Sequence, residues 1–159
     1  MKKASHMFLA GIITGVLISL ALVFLLAPKL MFSVSESKYD FATTKALIEK
    51  ATPENQWSMP HQYDLQATMK KHGFDVDPVT VFSICKPDIA VKILGNDVNR
   101  HISAMMPCRV AIYEKEDGKT YIARMNAGLL AKLLGNEVNA VMGEAETGSE
   151  IILESVLKK

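Results

Sequence analysis

The chain has 159 residues, 49% of them hydrophobic, and its 18 Lys and Arg side chains are nearly balanced by 17 Asp and Glu, which leaves a formal net charge of +1. The basic side chains are dispersed along the sequence, so the clustered positive charge of a nucleic-acid-binding surface is absent and no nucleic-acid partner is expected. After the first apolar segment about 130 residues remain, enough for one domain with its own core.

The first predicted element is a membrane-spanning helix over residues 7–28, which carry no charged side chain. An α-helix rises about 1.5 Å per residue, so roughly 20 apolar residues cross the ~30 Å hydrocarbon core of a bilayer. The alternative is a cleaved signal peptide, whose apolar region is about 7–15 residues long and ends in a small-residue cleavage site. Here the best candidate site ends at Ala27 and is followed at once by Pro28, so we predict an uncleaved anchor.

The charges beside this segment predict its orientation. Lys2 and Lys3 precede it, and the more cationic flank of a membrane helix stays in the cytoplasm. Residues 1–6 are therefore expected to be a cytoplasmic stub. Residues 29–38 are predicted to be either a short tether or a first strand, and residues 39–159 a periplasmic or extracellular domain.

Within the predicted membrane helix, Gly11 and Gly15 have the spacing of small residues at which membrane helices pack closely. Three interpretations stay open from this spacing. The helix contacts only lipid, or it forms the seam of a homodimer, or it packs on other subunits of a membrane complex.

The remaining sequence alternates helical patterns with strand patterns. Asp40 and Asp64 are predicted N-caps, and Asp117-Gly118 provides the turn of a hairpin. Helices are predicted over residues 41–51, 65–72, 89–94, 127–134, 136–145 and 149–157, and extended segments over 57–63, 79–85, 109–114 and 119–125. This order predicts an α/β (α+β) domain, a two-layer sandwich of a small mixed sheet of three to five strands with helices on one face.

Two cysteines are the first candidates for chemistry. Cys85 ends a predicted buried strand, and Cys108 precedes the hairpin. In an oxidising compartment a disulfide between them would close a loop of about 24 residues and contribute roughly 3 kcal/mol. Two separate thiols are the alternative, because a buried free cysteine behaves as a small hydrophobic residue.

A candidate metal site surrounds the second cysteine. His101, Met105, Met106 and Cys108 fall close together, and thiolate, thioether and imidazole are donors that copper accepts, with soft sulfur selecting Cu(I). The plainer interpretation makes the two methionines core side chains and the histidine a surface residue. The sequence offers no spacing typical of zinc or calcium sites.

The usual catalytic motifs are missing, including GxSxG, a Gly-rich phosphate loop and CxxC, so an enzyme is not the favoured interpretation. The predicted hairpin carries polar and aromatic side chains that could contact a ligand or a second subunit. A solvent-exposed sheet face is the alternative. These candidate ligand-binding residues are Arg109, Tyr113, Tyr121, Arg124 and Asn126.

Residues 78–87, then 106–109, 110–122 and 125–126, resemble domain-of-unknown-function family 302. In that family a strand ends near a proline, a proline-bearing segment leads into a hairpin with an Asp-Gly turn, and an Asn follows the second strand. The resemblance spans roughly residues 39–141. It implies a small α/β domain, often dimeric, without an established activity, and some members occur in settings linked to redox or sulfur metabolism. It carries no catalytic role onto either cysteine.

Taken together, these patterns favour a membrane-anchored extracytoplasmic domain that binds a partner or a small ligand as a homodimer. The first alternative is a copper- or thiol-dependent redox protein of sulfur or metal metabolism. The second is an accessory subunit of a membrane complex.

Overall fold

A long N-terminal helix leads directly into the sheet in the computed structural model, which describes residues 2–158. This helix, α1, is Lys2–Met31, and Pro28 lies inside its last turn without ending it. Its segment Gly11–Met31 is long and apolar enough to cross a membrane, a property that membrane anchors and signal sequences share. Strand β1 begins at the next residue, so residues 29–38 contain a first strand rather than a tether.

The sheet has five strands in the order β1-β5-β4-β3-β2. The strands are β1 Phe32–Glu36, β2 Ser58–Asp64, β3 Val79–Cys85, β4 Cys108–Glu114 and β5 Thr120–Met125. Every neighbouring pair is antiparallel. The predicted class of a small sheet with helices is confirmed, but the sheet is antiparallel throughout where a mixed one was expected. The sequence did not specify strand direction, because a helical connection between two strands is compatible with a parallel or an antiparallel arrangement.

The other helices follow the predicted caps closely. They are α2 Phe41–Glu54, α3 Leu65–Lys71, α4 Pro87–Leu94, α5 Ala127–Ala131 and α6 Asn136–Leu153, with a 3₁₀ helix at Arg100–Met105. Asp40 accepts a hydrogen bond from the Thr43 backbone N–H at 2.8 Å, and Asp64 accepts one from Ala67 at 2.8 Å. At the hairpin turn Gly118 has φ +72°, the conformation for which glycine was expected there.

The C-terminal helices differ from the expectation. A break between residues 145 and 149 was expected, but α6 is continuous from Asn136 to Leu153. Gly148 lies in the middle of this helix, where a Cβ atom would come within 2.6 Å of the Trp57 ring. The glycine therefore makes room for a tryptophan and does not end the helix. In the other direction, α5 ends at Ala131 rather than at residue 134.

The hydrophobic core lies between the sheet and one helical layer. Alternate side chains of the three inner strands are almost fully buried in it: Phe82, Ile84, Val110, Ile112 and Ile122. They pack with buried residues of α2, α4 and α6, such as Ile48, Ile93 and Ile152. The opposite side of the sheet, which we call the open face, carries half-buried or exposed side chains: Phe32, Val34, Tyr63, Ala111, Tyr113 and Tyr121.

Candidate functional site

A cavity of about 270 Å³ lies where β4 begins and β5 ends, beneath one side of α6. Five of the side chains around it contain sulfur: Met105, Met106, Cys108, Met125 and Met142. We call it the sulfur cavity. The whole chain has nine methionines and two cysteines, so nearly half of its sulfur atoms are gathered here. Thioether and thiol groups are polarisable and largely apolar, so this part of the wall is apolar and adaptable.

Three separate segments supply the sulfur atoms. Met105 ends the 3₁₀ helix, and Cys108 is the first residue of β4. Met125 is the last residue of β5, while Met142 is a buried residue of α6. The cavity therefore depends on the packing of α6 against the hairpin, and a local stretch of sequence cannot form it alone.

The opposite wall of the sulfur cavity is charged. Arg124 donates hydrogen bonds from Nε and Nη2 to the carboxylate of Glu150, the second at 2.8 Å, and its Nη1 donates to Ser35 Oγ at 3.2 Å. Glu146 accepts a hydrogen bond from the Gly128 backbone N–H at 2.9 Å. Two-point pairing fixes the plane of a guanidinium group, so these side chains are held in place before any ligand arrives.

A second, much smaller cavity of about 30 Å³ shares several of the same sulfur-containing side chains in its wall. Its wall is almost entirely apolar and includes Trp57, Ile89 and Met142. It has room for about one water molecule but offers little for that water to bond. The side chains of residues 105, 106 and 108 therefore line both the sulfur cavity and this smaller, apolar cavity.

Both cysteines are free thiols, so no disulfide joins them and the alternative of separate thiols holds in this structure. In the antiparallel β3–β4 register, Cys108 lies opposite Ile84, the residue that precedes Cys85. Burial raises the pKa of the Cys108 thiol, and the nearby Cys85 and Glu146 raise it further. Burial also raises the pKa of Cys85. Since the thiolate is the nucleophilic form, neither environment activates a cysteine for attack.

The predicted copper ligands are only partly brought together. Met105, Met106 and Cys108 line both cavities, whereas His101 does not line either. The histidine is exposed on the 3₁₀ helix, and its Nδ1 lies 3.0 Å from the Val98 carbonyl oxygen. Within residues 2–158, no three His, Cys, Asp or Glu side chains gather as a metal-binding group.

The predicted ligand-binding residues of the hairpin divide between two faces. Tyr113 and Tyr121 pair across the strands of the open face with ring centroids 5.9 Å apart. Tyr121 donates a hydrogen bond to Asp117 at 2.8 Å, which raises the pKa of the tyrosine to about 12. Arg109 lies 5.7 Å from the centre of the Tyr63 ring and also lines the sulfur cavity. The open face otherwise presents a cluster of aromatic side chains.

The other two predicted residues have structural partners. Arg124 points to the helical side of the sheet, where it pairs with Glu150 in the sulfur cavity. Asn126 is the N-cap of α5 and accepts a hydrogen bond from the Leu129 N–H at 3.1 Å. These five side chains therefore do not form one site, because neighbouring residues of a strand point to opposite faces.

Sequence reasoning missed the contribution of α6 to the cavity. Met142, Glu146 and Glu150 are four residues apart, the spacing that places side chains on one face of a helix. That signal was hidden by the expected helix break at residues 146–148. A continuous helix over this stretch would have placed one sulfur atom and two carboxylates on the same side.

Comparison with known proteins gives a consistent result. The family described as domain of unknown function DUF302 matches residues 33–156. Among solved structures, the chain is similar to an uncharacterized conserved DUF302 protein from Bacillus stearothermophilus, with a TM-score of 0.70 at 15% sequence identity. The similarity covers 79% of this chain and 97% of the other. No curated protein matches the chain. At this identity the structural similarity concerns the fold alone.

Proposed function

The chain belongs to the DUF302 family of domains of unknown function, and we propose that it is a membrane-anchored extracytoplasmic domain which binds a small ligand in the sulfur cavity. The observation that carries the proposal is the cavity itself. One wall is apolar and contains sulfur, and the other carries the charged side chains of Arg124, Glu146 and Glu150, which hydrogen bonds hold in place. Small-molecule sites commonly join an apolar lining to a few well-placed polar groups in this way.

The chemistry of the cavity favours binding over catalysis. Burial raises the pKa of its thiol, and its two carboxylates are engaged with Arg124 and with the Gly128 backbone N–H. A catalytic nucleophile needs an adjacent base or a lowered pKa. Cys108 has a carboxylate nearby, but its electrostatic effect raises the pKa of the thiol. A bound molecule is therefore expected to be held rather than cleaved or transferred.

The proposed location follows from α1. Its apolar segment would remain in the bilayer, and the two lysines before it would keep the N-terminus in the cytoplasm. A reporter fused after Lys159 tests this orientation. We expect alkaline phosphatase, which works only outside the cytoplasm, to be active there and a cytoplasmic fluorescent protein to be dark. The reverse result would contradict the orientation, and recovery of the chain in a lipid-free soluble fraction would contradict the anchor.

Ligand binding in the cavity is tested by native mass spectrometry of the full chain extracted in mild detergent. Ala104 lies at the cavity wall and is itself exposed, so Ala104→Trp can fill the cavity without disturbing the core. Ala46→Trp adds the same ring at an exposed position of α2 away from the cavity. We expect a bound small molecule on the native chain and on Ala46→Trp, and its loss from Ala104→Trp. The proposal is refuted if nothing is retained by the native chain, or if the Ala104→Trp variant retains it equally.

We also propose that two copies associate through the open face. Phe32 and Val34 are each about half exposed, and they directly follow the membrane helix. On that helix Gly11 and Gly15 have no neighbouring atom within 4 Å where a Cβ would stand. Anchored copies share one orientation in the membrane, so a helix seam and an adjoining apolar sheet face can be buried by the same partner.

The oligomeric state of the full chain in mild detergent tests this association. A charge on the open face, Val34→Lys, is expected to shift the mass from dimer to monomer. Ala46→Lys carries the same charge on the helical side and is expected to remain dimeric. A native chain that is monomeric at high concentration, or a dimer unaffected by Val34→Lys, would remove this part of the proposal. Co-extraction of a different membrane subunit in a fixed ratio would favour an accessory role instead.

A further inference from the structure

The sulfur cavity brings more donor atoms together than the sequence alone indicated. Within the sequence, three sulfur residues stand close to each other at positions 105, 106 and 108. The fold adds Met142 from α6 and Met125 from the end of β5. Thioether sulfur is a soft donor suited to Cu(I), whereas zinc sites use thiolate, imidazole and carboxylate ligands and the hard cations prefer oxygen.

We propose that the sulfur cavity binds one Cu(I) ion through Cys108 and the thioethers of Met105, Met106 and Met142, which names the ligand of the site whose binding role is proposed above. The geometry that supports this is the presence of all four side chains in the walls of both the sulfur cavity and the smaller apolar cavity, which places them close together. Met125 lines only the sulfur cavity and is assigned no direct bond.

The composition of the surrounding wall also suits a soft monovalent ion. The smaller cavity beside the sulfur groups is almost entirely apolar and has room for about one water molecule, so it offers few competing ligands for Cu(I). The carboxylates that line the sulfur cavity already accept hydrogen bonds, Glu150 from Arg124 and Glu146 from the Gly128 N–H. A divalent ion that demands oxygen or imidazole ligands finds no such set within the described residues.

Uptake of the ion is a simple exchange. The Cys108 S–H bond breaks, an S–Cu bond forms, and one proton leaves to solvent. The thioethers donate lone pairs without any change of protonation, and copper enters and remains as Cu(I). No electron is transferred, so neither an oxidant nor a reductant is needed. The outcome is a neutral thiolate–Cu(I) unit inside a largely apolar wall, without the cost of burying a net charge.

A competition titration with the chromophoric Cu(I) chelator bicinchoninate tests the proposal on the full chain in mild detergent, under reducing and anaerobic conditions. We expect one equivalent of Cu(I) to be withdrawn from the chelator. Losing even a supporting partner of a metal ligand costs about 10–100-fold in affinity, so loss of a direct donor should cost at least as much. Cys108→Ser and Met142→Leu are both expected to weaken binding by this factor.

Matched controls keep the result interpretable. Met59→Leu and Met69→Leu remove thioethers from β2 and α3, which line neither cavity, and both variants are expected to bind like the native chain. Met142→Leu nearly conserves volume, and its far-UV circular dichroism is expected to match that of the native chain. The inference is overturned if the native chain withdraws no Cu(I), if the controls lose as much affinity as the cavity variants, or if Met142→Leu binds unchanged.

The outcome is also separable from that of the binding proposal. If Cu(I) is not taken up but the native chain retains another small molecule that Ala104→Trp displaces, the copper inference fails and the binding site stands. In that case the methionines act as an adaptable apolar wall for an organic molecule. If neither copper nor any other molecule is retained, both fail.

Discussion

The contact between α6 and the single tryptophan allows a stability prediction with its own internal control. Gly148 and Gly143 lie in the same helix, but their surroundings differ. A Cβ at Gly148 would stand 2.6 Å from Trp57 Cζ2 and 3.3 Å from Cε2, whereas one at Gly143 would meet nothing within 4 Å. Contacts below 3 Å cannot persist, so in Gly148→Ala the tryptophan or the helix must move.

The magnitude follows from two opposing contributions. Replacing glycine by alanine inside a helix gains up to about 1 kcal/mol, and this gain is common to both variants. Overpacking a buried position costs about 1–3 kcal/mol, and it applies only at Gly148. Trp57 is only 5% exposed and cannot swing into solvent, although the cavity of about 30 Å³ beside it gives the ring some room. We therefore expect Gly143→Ala to be stabilised by up to ~1 kcal/mol and Gly148→Ala to be less stable than it by about 1–2 kcal/mol.

Thermal unfolding of the full chain in mild detergent measures the difference. Trp57 is the chain's one tryptophan, so its fluorescence follows the core directly, and far-UV circular dichroism provides a second probe. For a domain of this size each kcal/mol shifts Tm by roughly 3–5 °C. Gly143→Ala is therefore expected to melt several degrees above Gly148→Ala. If Gly148→Ala is as stable as Gly143→Ala, the helix does not pack on the tryptophan as described.

Three further predictions concern charged and titrating groups. Arg124→Ala leaves the half-buried Glu150 carboxylate without its guanidinium partner. Because the pair lies between a fully exposed and a fully buried ion pair, the free energy of unfolding measured by urea titration should fall by about 1–3 kcal/mol. The hydrogen bond from Lys158 lowers the pKa of Glu36. The carboxylate therefore stabilises the fold fully above about pH 4.3, the usual pKa of Glu, and this contribution is lost as the pH falls through the lowered pKa. Glu36→Gln should flatten the acid side of the curve of unfolding free energy against pH. The hydrogen bond to Asp117 raises the pKa of Tyr121 to about 12, so Tyr121→Phe should remove a late step from the phenolate absorbance titration.

Local signals predicted those parts of the fold that depend on neighbouring residues. The bounds of β3, the caps at Asp40 and Asp64, and the hairpin turn at Asp117-Gly118 all follow from short patterns, and the structure has them where they were expected. A strand as apolar as β3 has to lie inside a sheet, and it does. These elements share the property that propensity, pattern and turn chemistry agree.

The errors arise where a distant residue decides. A helix break was expected between residues 145 and 149, and Gly148 falls within it, where glycine costs about 1 kcal/mol in a helix interior. It is retained because Trp57, far away in the chain, occupies the space of its missing side chain. The same error concealed the candidate site, because only a continuous α6 places Met142 and Glu150 beside the start of β4. Sequence reasoning found the local sulfur cluster and could not find the donor that tertiary packing adds.

The direct connection of α1 to the sheet has a consequence for how the site would operate. Phe32, the first residue after the helix, pairs with Met125, which lines the sulfur cavity, and the Asn126 N–H bonds the Met31 carbonyl oxygen at 2.9 Å. With α1 anchored as proposed, the cavity is held at the membrane surface by backbone hydrogen bonds and has no linker with which to reach away from it. Under that proposal, a bound molecule would be taken from or delivered to the boundary of the bilayer.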